Sequence, residues 1–243
     1  MAAQPTNQAQ PTEEEILEYL YPKEFHCPVC DKEFMDFIIK KSKLKVLDTD
    51  TDFMNHYKDI DPYQYDILFC SHCGYASTHA YFDKIVNRQQ QMIKEKISPG
   101  YKPMEFPVPL SKEHIMHRYK QAILCAVAME AKTSQRAFIS LKLAWVLRKM
   151  GQTKVEERFL KDAYAGLKAA FTSERFPLGN MDESTVKYII ADLGRRLGEY
   201  GEAMRWVGEL VVSRSLPGTL KDRAANLKDM IKEEAQAKGV AGI

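Results

Sequence analysis

Four of the five cysteines form two identical pairs with metal-ligand spacing. The pairs are Cys27-Pro-Val-Cys30 and Cys70-Ser-His-Cys73, and 39 residues lie between them. In a reducing compartment, two C-x-x-C pairs indicate a metal site rather than a disulfide framework. Two facing pairs can place four thiolates at the corners of a tetrahedron around one ion. The sequence therefore predicts a closed, structural Zn²⁺ site whose ligands are all four of these cysteines.

The spacing leaves some details of this site open. Four thiolates also bind iron, as in rubredoxin-like sites, and His26 or His72 could replace one thiolate because each lies beside a ligand. A left-handed backbone is expected after each pair, at Asp31 and Gly74. A closed site has no open position for water or substrate, so we expect it to stabilise the fold rather than to catalyse. The fifth cysteine, Cys125, is expected to be a small core residue.

Short strands are predicted to position the cysteine pairs. Apolar and polar residues partly alternate over residues 37–47, which favours a strand, and residues 64–69 favour a second strand. Thr12 followed by Glu15 is a capping-box pattern that opens a short helix. A longer helix is predicted over residues 77–97. Two strands and two cysteine turns together make a zinc ribbon.

The second half of the chain is predicted to be entirely helical. From residue 111 onward, apolar residues recur at three- and four-residue spacing, and glycine and proline breaks divide this part into about six helices with short turns. The segment 98–110 holds four of the eleven prolines and is predicted to be a linker or a wrapped arm between modules.

An internal similarity suggests what kind of helical array this is. Leu143-Ala144 leading to Gly151 matches Ile190-Ala191 leading to Gly198, with small residues where helices would approach closely. This pattern is typical of tetratricopeptide repeats. Glu156 stands where that repeat needs a small residue, so an unrelated helical bundle stays open as an alternative.

The composition is that of an ordinary globular protein and bounds the domain organisation. The 243 residues are 45% apolar and 28% charged. We predict a mainly α fold, with tetratricopeptide-like antiparallel helical repeats and a small N-terminal β zinc ribbon. The predicted units are a disordered tail (1–11), a zinc-ribbon module with flanking helices (12–97), the Pro-rich linker (98–110), a tetratricopeptide-like helical domain (111–237) and a tail (238–243).

The cellular location is predicted from two further features. No run of eighteen apolar residues is present, so we expect no membrane span. The N-terminus is polar and acidic and lacks the pattern of a signal peptide. Both features favour a cytoplasmic protein.

Several motifs resemble a known bacterial family. They are Cys27-Pro-Val-Cys30, Asp61-Pro-Tyr-x-Tyr65 leading to Cys70-Ser-His-Cys73-Gly-Tyr-Ala76, and Leu143-Ala-Trp145. With these motifs the chain resembles the uncharacterised domain-of-unknown-function family 2225 over roughly residues 20–235. The resemblance implies an N-terminal metal-binding ribbon and a tetratricopeptide-like C-terminal half, and it implies no established activity.

The charges suggest a groove for a partner. Residues 1–110 carry a net charge of −5 and residues 111–243 a net charge of +7. In a repeat arrangement, the first helix of each pair lines a concave groove. The groove residues predicted in this way are Lys142, Trp145, Arg148, Lys149, Tyr188, Asp192, Arg195 and Arg196. Cations beside aromatic rings suit a protein partner with an acidic peptide or a C-terminal carboxylate. The alternative is a solvated basic face with Trp145 in the core.

This charge pattern and the missing catalytic motifs decide the functional prediction. The sequence has no phosphate-binding loop, dinucleotide fingerprint or nucleophile elbow. We therefore predict a non-enzymatic zinc-binding scaffold or adaptor protein that uses its helical groove. The alternative is a nucleic-acid-binding zinc ribbon with a helical scaffold, in which Lys40, Lys41, Lys43 and Lys45 contact phosphates from one strand. Lysines on an edge strand also serve to prevent sheet-to-sheet association.

An acidic segment follows these lysines. Asp48-Thr-Asp50-Thr-Asp52 begins like a calcium loop, but Phe53 stands where that loop needs glycine. We predict a solvated acidic turn rather than a calcium site.

Overall fold

The structure, a computed structural model, describes residues 12–213, 216–240 and 242. The predicted tail 1–11 and residues 241 and 243 of the predicted C-terminal tail lie outside the described residues. The N-terminal elements are α1 (Glu13–Tyr19), β1 (Leu20–His26), β2 (Glu33–Ile39), β3 (Val46–Thr49), β4 (Asn55–Tyr57), β5 (Ile67–Phe69), β6 (Ala76–Thr78) and α2 (Asn87–Lys96). Six helices follow, namely α3 (Lys112–Ala128), α4 (Thr133–Lys149), α5 (Thr153–Ser173), α6 (Glu183–Arg196), α7 (Tyr200–Val212) and α8 (Gly218–Ala237). The predicted mainly helical fold with small N-terminal strand pairs is confirmed.

The strands of the described residues form three separate antiparallel pairs, β1–β2, β3–β4 and β5–β6. The single strand predicted over residues 37–47 is wrong. Leu20, the first residue of β1, pairs with Ile39, the last residue of β2. Because α1 ends immediately before Leu20, β2 has no strand to pair with beyond this point, and Lys41–Lys43 form a 3₁₀ turn instead. The second predicted strand is present as β5 and is preceded by a 3₁₀ turn over Pro62–Tyr65.

The helix predicted over residues 77–97 is only half present. Its first residues belong to β6, where Thr78 pairs with Ile67 of β5, so their backbone groups are used by the sheet. Helix α2 begins only at Asn87. The predicted capping box at the start of α1 is confirmed, because the Thr12 side chain accepts from the Glu15 N–H and the Glu15 carboxylate accepts from the Thr12 N–H.

The six C-terminal helices each pack against the next helix along the chain, and α6 also contacts α8. One hydrophobic core runs from the cysteine turns through α3 to α6, and a second joins α6, α7 and α8. The Pro-rich segment lies on the first core, with Tyr101, Phe106 and Leu110 packed against it. Among the described residues, no helix is both long enough and apolar enough to cross a membrane. The tetratricopeptide-like repeat stays a prediction.

A buried ion pair joins the strands to the helices. Arg118 on α3 and Asp36 on β2 have side chains that are 3% and 8% exposed. Both guanidinium NH groups donate to the two carboxylate oxygens of Asp36, and one also donates to the carbonyl of Ile67. Asp36 in turn accepts from the Phe69 N–H, so one carboxylate connects β2, β5 and α3.

Candidate metal centre and the cationic face of the helices

The four paired cysteines converge on one point. Their Sγ atoms all lie within 4.8 Å of one another. Cys27 Sγ is 3.6 Å from Cys73 Sγ, and Cys30 Sγ is 3.7 Å from Cys70 Sγ. A disulfide would need about 2.05 Å. A tetrahedral ion with Zn–S bonds of about 2.3 Å separates its sulfurs by about 3.8 Å. The residues present therefore fit a four-thiolate metal ion.

The two cysteine turns have the same backbone design. Asp31 and Gly74 follow the second cysteine of their pairs with φ of 61° and 75°, as predicted. Each donates its N–H to the carbonyl of the first cysteine, at 2.9 Å for Cys27 and 3.0 Å for Cys70. Gly74 is also required by packing, since a Cβ there would lie 2.5 Å from the ring of Tyr101. The Pro-rich segment therefore closes directly over the second turn.

Helix α3 supports the second turn from the other side. Gln121 Nε2 donates to the Gly74 carbonyl at 2.8 Å, and the Cys125 thiol contacts the same carbonyl. Cys125 is fully buried, as predicted, and burial raises the pKa of its thiol to about 12. It is therefore a packing residue and is not part of the cluster.

The cluster contains neither of the neighbouring histidines. His26 Nε2 bonds to the Asp31 carboxylate at 2.9 Å, and His72 Nε2 bonds to the Glu33 carbonyl. Contact with Cys27 and then Cys70, with burial, raises the pKa of the Cys73 thiol well above its usual range. Four thiolates at these distances repel one another, and a bound cation would favour their ionised form. A possible four-cysteine metal site is thus present, and the identity of the ion stays a prediction.

The eight predicted groove residues, named here the cationic face, do lie together on α4 and α6. Every one of them contacts residues 50–66 of the same chain. These contacts centre on the acidic hairpin, which we define as residues 46–57 and which comprises β3, its tip and β4. The prediction of a solvated acidic turn is wrong, because Asp52 at the tip is completely buried.

Helix α4 binds the tip through arginine and tryptophan. Arg148 donates to Asp50 at 2.7 Å and to both oxygens of Asp52 at 2.7 and 3.2 Å. Trp145 Nε1 donates to Asp52 at 3.0 Å. Arg148 is held in place by Glu156, whose carboxylate accepts from its Nε at 2.7 Å. Glu156 breaks the repeat pattern in the sequence, and here it orients the central arginine.

Helix α6 binds the adjacent residues of the tip. Thr51 donates to Asp192 at 2.9 Å and accepts from Arg195 and Arg196 at 3.3 and 3.0 Å. Phe53 packs on the Tyr188 ring, with centroids 5.1 Å apart. Phe53 has φ of 65°, a left-handed conformation that is strained for an aromatic residue. Packing on Tyr188 holds this conformation in place.

The last two residues of the cationic face bind the segment that follows the hairpin. Lys142 pairs with Asp66 at 2.7 Å, and Lys149 lies 3.8 Å from Asp61. Asp61 is nearly buried and one of its oxygens has no hydrogen-bond partner among the described residues. Burial raises the pKa of its carboxyl, and Lys149 offsets part of that rise.

At Asp52, the neighbouring arginines affect the pKa of the carboxyl more than burial does. Burial alone would raise the pKa of this carboxyl, but hydrogen bonds and charge from Arg148, with the nearby Arg196, outweigh it. The pKa of Asp52 is therefore lowered. The tip of the hairpin is held as an ionised carboxylate between two arginines.

The sequence pattern predicts that Lys41, Lys43 and Lys45 share one strand face beside Lys40, and the structure does not have this arrangement. Lys41 and Lys43 lie on the 3₁₀ turn, Lys43 pairs with Glu18, and the Lys40 ammonium donates to the Glu18 carbonyl. Lys45 is exposed beyond the turn. The predicted arrangement is wrong because β2 ends before these residues, at Ile39.

Sequence reasoning misses the internal occupant of the cationic face. The available signals are the alternating aspartates at positions 48, 50 and 52 and the opposite net charges of the two halves. Neither of these signals shows that Asp52 pairs with Arg148, which lies 96 residues further along the chain.

Comparison with known proteins places this architecture in one family. The family model described as an uncharacterized protein conserved in bacteria (DUF2225) matches residues 20–237. The matched range includes the four-cysteine cluster, the acidic hairpin and all of α3 to α8. The resemblance seen in the sequence motifs is confirmed. No curated protein and no solved structure matches this chain.

Proposed function

We propose that this chain, which belongs to the family of uncharacterized bacterial proteins DUF2225, is a non-enzymatic, Zn²⁺-binding interaction protein of the cytoplasm. Its cationic face would bind an acidic, extended segment of a protein partner. The observation that carries this proposal is the acidic hairpin itself. The helices already hold a segment of that chemistry, through bidentate arginine contacts and an aromatic platform.

The side chains of the cationic face determine which ligand it can bind. Arg148 forms a fork that matches a carboxylate, and Trp145 adds a donor to the same group. Tyr188 receives an aromatic side chain next to it. A partner segment with two carboxylates followed by an aromatic residue would reproduce all of these contacts.

The acidic hairpin must leave before a partner can bind in its place. The hairpin is tethered at both ends, so it competes at an effective concentration in the millimolar range. Both of its tethers end in the cysteine turns, since the hairpin lies between Cys30 and Cys70. A structural metal would therefore fix the base of the loop and set how strongly the hairpin competes.

A peptide-rescue experiment tests this assignment. The variant Asp52→Ala removes the central carboxylate of the hairpin and should expose Arg148. A synthetic peptide with the sequence of residues 47–54 should then bind the variant and raise its melting temperature. The wild-type chain should bind the same peptide at least about 100-fold more weakly, because its own hairpin occupies the face.

Matched controls separate recognition from non-specific attraction. A peptide with asparagine in place of every aspartate should not bind, and Asp52→Ala combined with Arg148→Met should not bind either peptide. Should Asp52→Ala fail to fold, Asp50→Ala serves, because that side chain is a quarter exposed and its removal is milder. A folded variant that ignores the acidic peptide, or binds both peptides equally, contradicts the proposal.

A further inference from the structure

A large open cleft lies beside the cationic face and shares only Lys142 with it. Its volume is about 850 Å³. It is lined by residues of the sheet β1–β2, of the turn Lys41–Lys43 and of the turn Pro62–Tyr65, and by Lys142 of α4. This volume is within the range of about 300–1,000 Å³ that small-ligand pockets occupy.

Positive charge dominates the lining of the cleft. Lys23, Lys40, Lys41 and Lys142 line it, and Asp66 is the only carboxylate that does so among the described residues. Asp66 is already paired with Lys142. Lys23 and Lys41 are exposed and have no ion-pair partner within the described ranges. An anion entering the cleft would therefore meet uncompensated ammonium groups.

Aromatic rings line the same cleft. Tyr21 pairs with Ile38 across the β1–β2 ladder, so both side chains project to one face of the sheet, and both line the cleft. Tyr21 is 38% exposed, which leaves ring surface available. Tyr57 and Tyr63 also line the cleft and pack edge-on against each other, with centroids 6.1 Å apart. The cleft thus offers flat apolar surface next to ammonium groups.

We propose that this cleft binds a nucleoside phosphate, either as a free nucleotide or as part of a single strand. A base would stack on Tyr21 and Tyr57, and the phosphate would lie between Lys23 and Lys41. Stacking on aromatic side chains combined with lysine contacts to phosphate is the chemistry by which proteins bind unpaired nucleotides. An acidic peptide would use the ammonium groups but would leave the exposed tyrosine ring without a partner.

The cleft includes Tyr57 of the acidic hairpin and Lys142 of the cationic face, but the proposal is tested at other residues. Lys23, Lys41 and Tyr21 do not belong to the cationic face, so substitutions there leave the peptide-rescue experiment unaffected. Failure of one proposal is therefore distinguishable from failure of the other.

Direct binding to the full chain tests the proposal with defined probes. The probes are adenosine monophosphate, inorganic phosphate, an oligo-aspartate peptide and an unstructured single strand of about ten nucleotides. The variant Lys23→Glu with Lys41→Glu should weaken binding of nucleotide and strand by at least about tenfold. The matched control Lys32→Glu with Lys45→Glu changes two exposed lysines outside the cleft and should bind as the wild type does.

A second variant tests the aromatic contribution. Tyr21→Ala should weaken nucleotide binding by about 5- to 150-fold, the range found on removal of a base-stacking ring, and should leave phosphate binding unchanged. A single strand is identified as the ligand if it binds more tightly than the free nucleotide. In addition, the slope of the logarithm of its binding constant against the logarithm of the salt concentration should become shallower by about 0.7 for each phosphate-binding lysine removed. Equal binding would identify the free nucleotide.

Three results would overturn the assignment. The first is that phosphate or the aspartate peptide binds as tightly as the nucleotide. The second is that the cleft variant and the control variant weaken binding equally. The third is that neither nucleotide nor strand binds to the wild-type chain at low salt.

Discussion

The N-terminal strands and the C-terminal helices are held together by different interactions. Each strand pair has only two strands, and such isolated pairs are marginally stable in water. They depend on the four-cysteine cluster and on contacts with the helices. The helices instead bury continuous apolar surface, with residues such as Leu143, Leu167 and Ile189 completely inaccessible. The strand region shares the first hydrophobic core with α3 to α6, whereas the second core consists mainly of residues from α6, α7 and α8.

The charges mark the boundary between the two regions. Buried carboxylates Asp36 and Asp52 come from the strand region, and the arginines that bind them, Arg118 and Arg148, come from the helices. The net charges of −5 and +7 in the two parts of the sequence are therefore used inside the molecule. A charge asymmetry along a chain can specify an internal interface as well as an external partner.

Of the changes considered, loss of the metal site should have the largest effect on the folding of the strand region. Replacing Cys70 and Cys73 by serine removes two of four thiolates and should abolish binding of the predicted one zinc per chain. Structural zinc in small domains contributes about 10 kcal/mol or more to folding. We expect the strand region to lose its native NMR signals while helical circular dichroism from α3 to α8 persists. Elemental analysis and the two spectra check this.

The matched control for this experiment is Cys125→Ala, which removes a buried thiol outside the cluster. It should keep a full complement of metal. Loss of helical signal together with the strands would show that the helices depend on the ribbon and do not have a self-sufficient core.

Breaking the buried pair at the boundary should have the next largest effect. Arg118→Met leaves the Asp36 carboxylate buried without its partner, and such a change typically costs about 3–5 kcal/mol. The double variant Arg118→Met with Asp36→Leu removes both charges and should recover most of that stability. Chemical denaturation of the two variants measures the difference. Equal destabilisation by both would mean that packing, rather than charge, decides the stability of this interface.

The elements with local signals could be predicted from the sequence. The cysteine spacing predicts the metal cluster and the left-handed positions at Asp31 and Gly74, and the apolar periodicity predicts the six C-terminal helices. Capping at Thr12 is also local, and its prediction is confirmed. The left-handed positions, the cap and the helical periodicity each depend on residues within about five positions of one another, so a single segment contains the information. The cluster joins two segments 39 residues apart, and it could be predicted because both cysteine pairs have the same metal-ligand spacing.

The elements that depend on distant partners could not be predicted. The end of β2 is set by where β1 begins, and the start of α2 by the pairing of β6. The residues of the cationic face follow from helical periodicity, but their occupant lies 96 residues from Arg148 at Asp52. A periodicity shows which side a residue faces and does not show which segment covers that side.

Acidification should release the acidic hairpin, and we expect it to cost less stability than the cysteine and Arg118 variants do. The folded pKa of Asp52 is below its ordinary value near 3.9. Its ionisation therefore contributes stability that is fully present above that value and is lost as the pH falls through the folded pKa. Fluorescence of Trp145, which donates to Asp52, should change over that acidic range. The Trp206→Phe background isolates this signal.

The control for this titration is Asp83→Asn, an exposed aspartate away from the hairpin, which should leave the transition unchanged. Asp52→Asn should abolish the transition itself. A transition that survives in Asp52→Asn would assign the acid sensitivity to another carboxylate.

Removing a charge within the helical region should have the smallest effect. Lys168 on α5 pairs with Glu202 on α7, and the hydrogen bond from Lys168 is the main cause that lowers the pKa of the Glu202 carboxyl. Both side chains are about one third exposed, so solvent screens the pair. Lys168→Ala should lower the unfolding free energy by less than about 1 kcal/mol, and added salt should reduce the difference further. Denaturation at two salt concentrations measures both. A destabilisation as large as that of Arg118→Met would mean that the helices also depend on their charges, and the distinction between the two regions would fail.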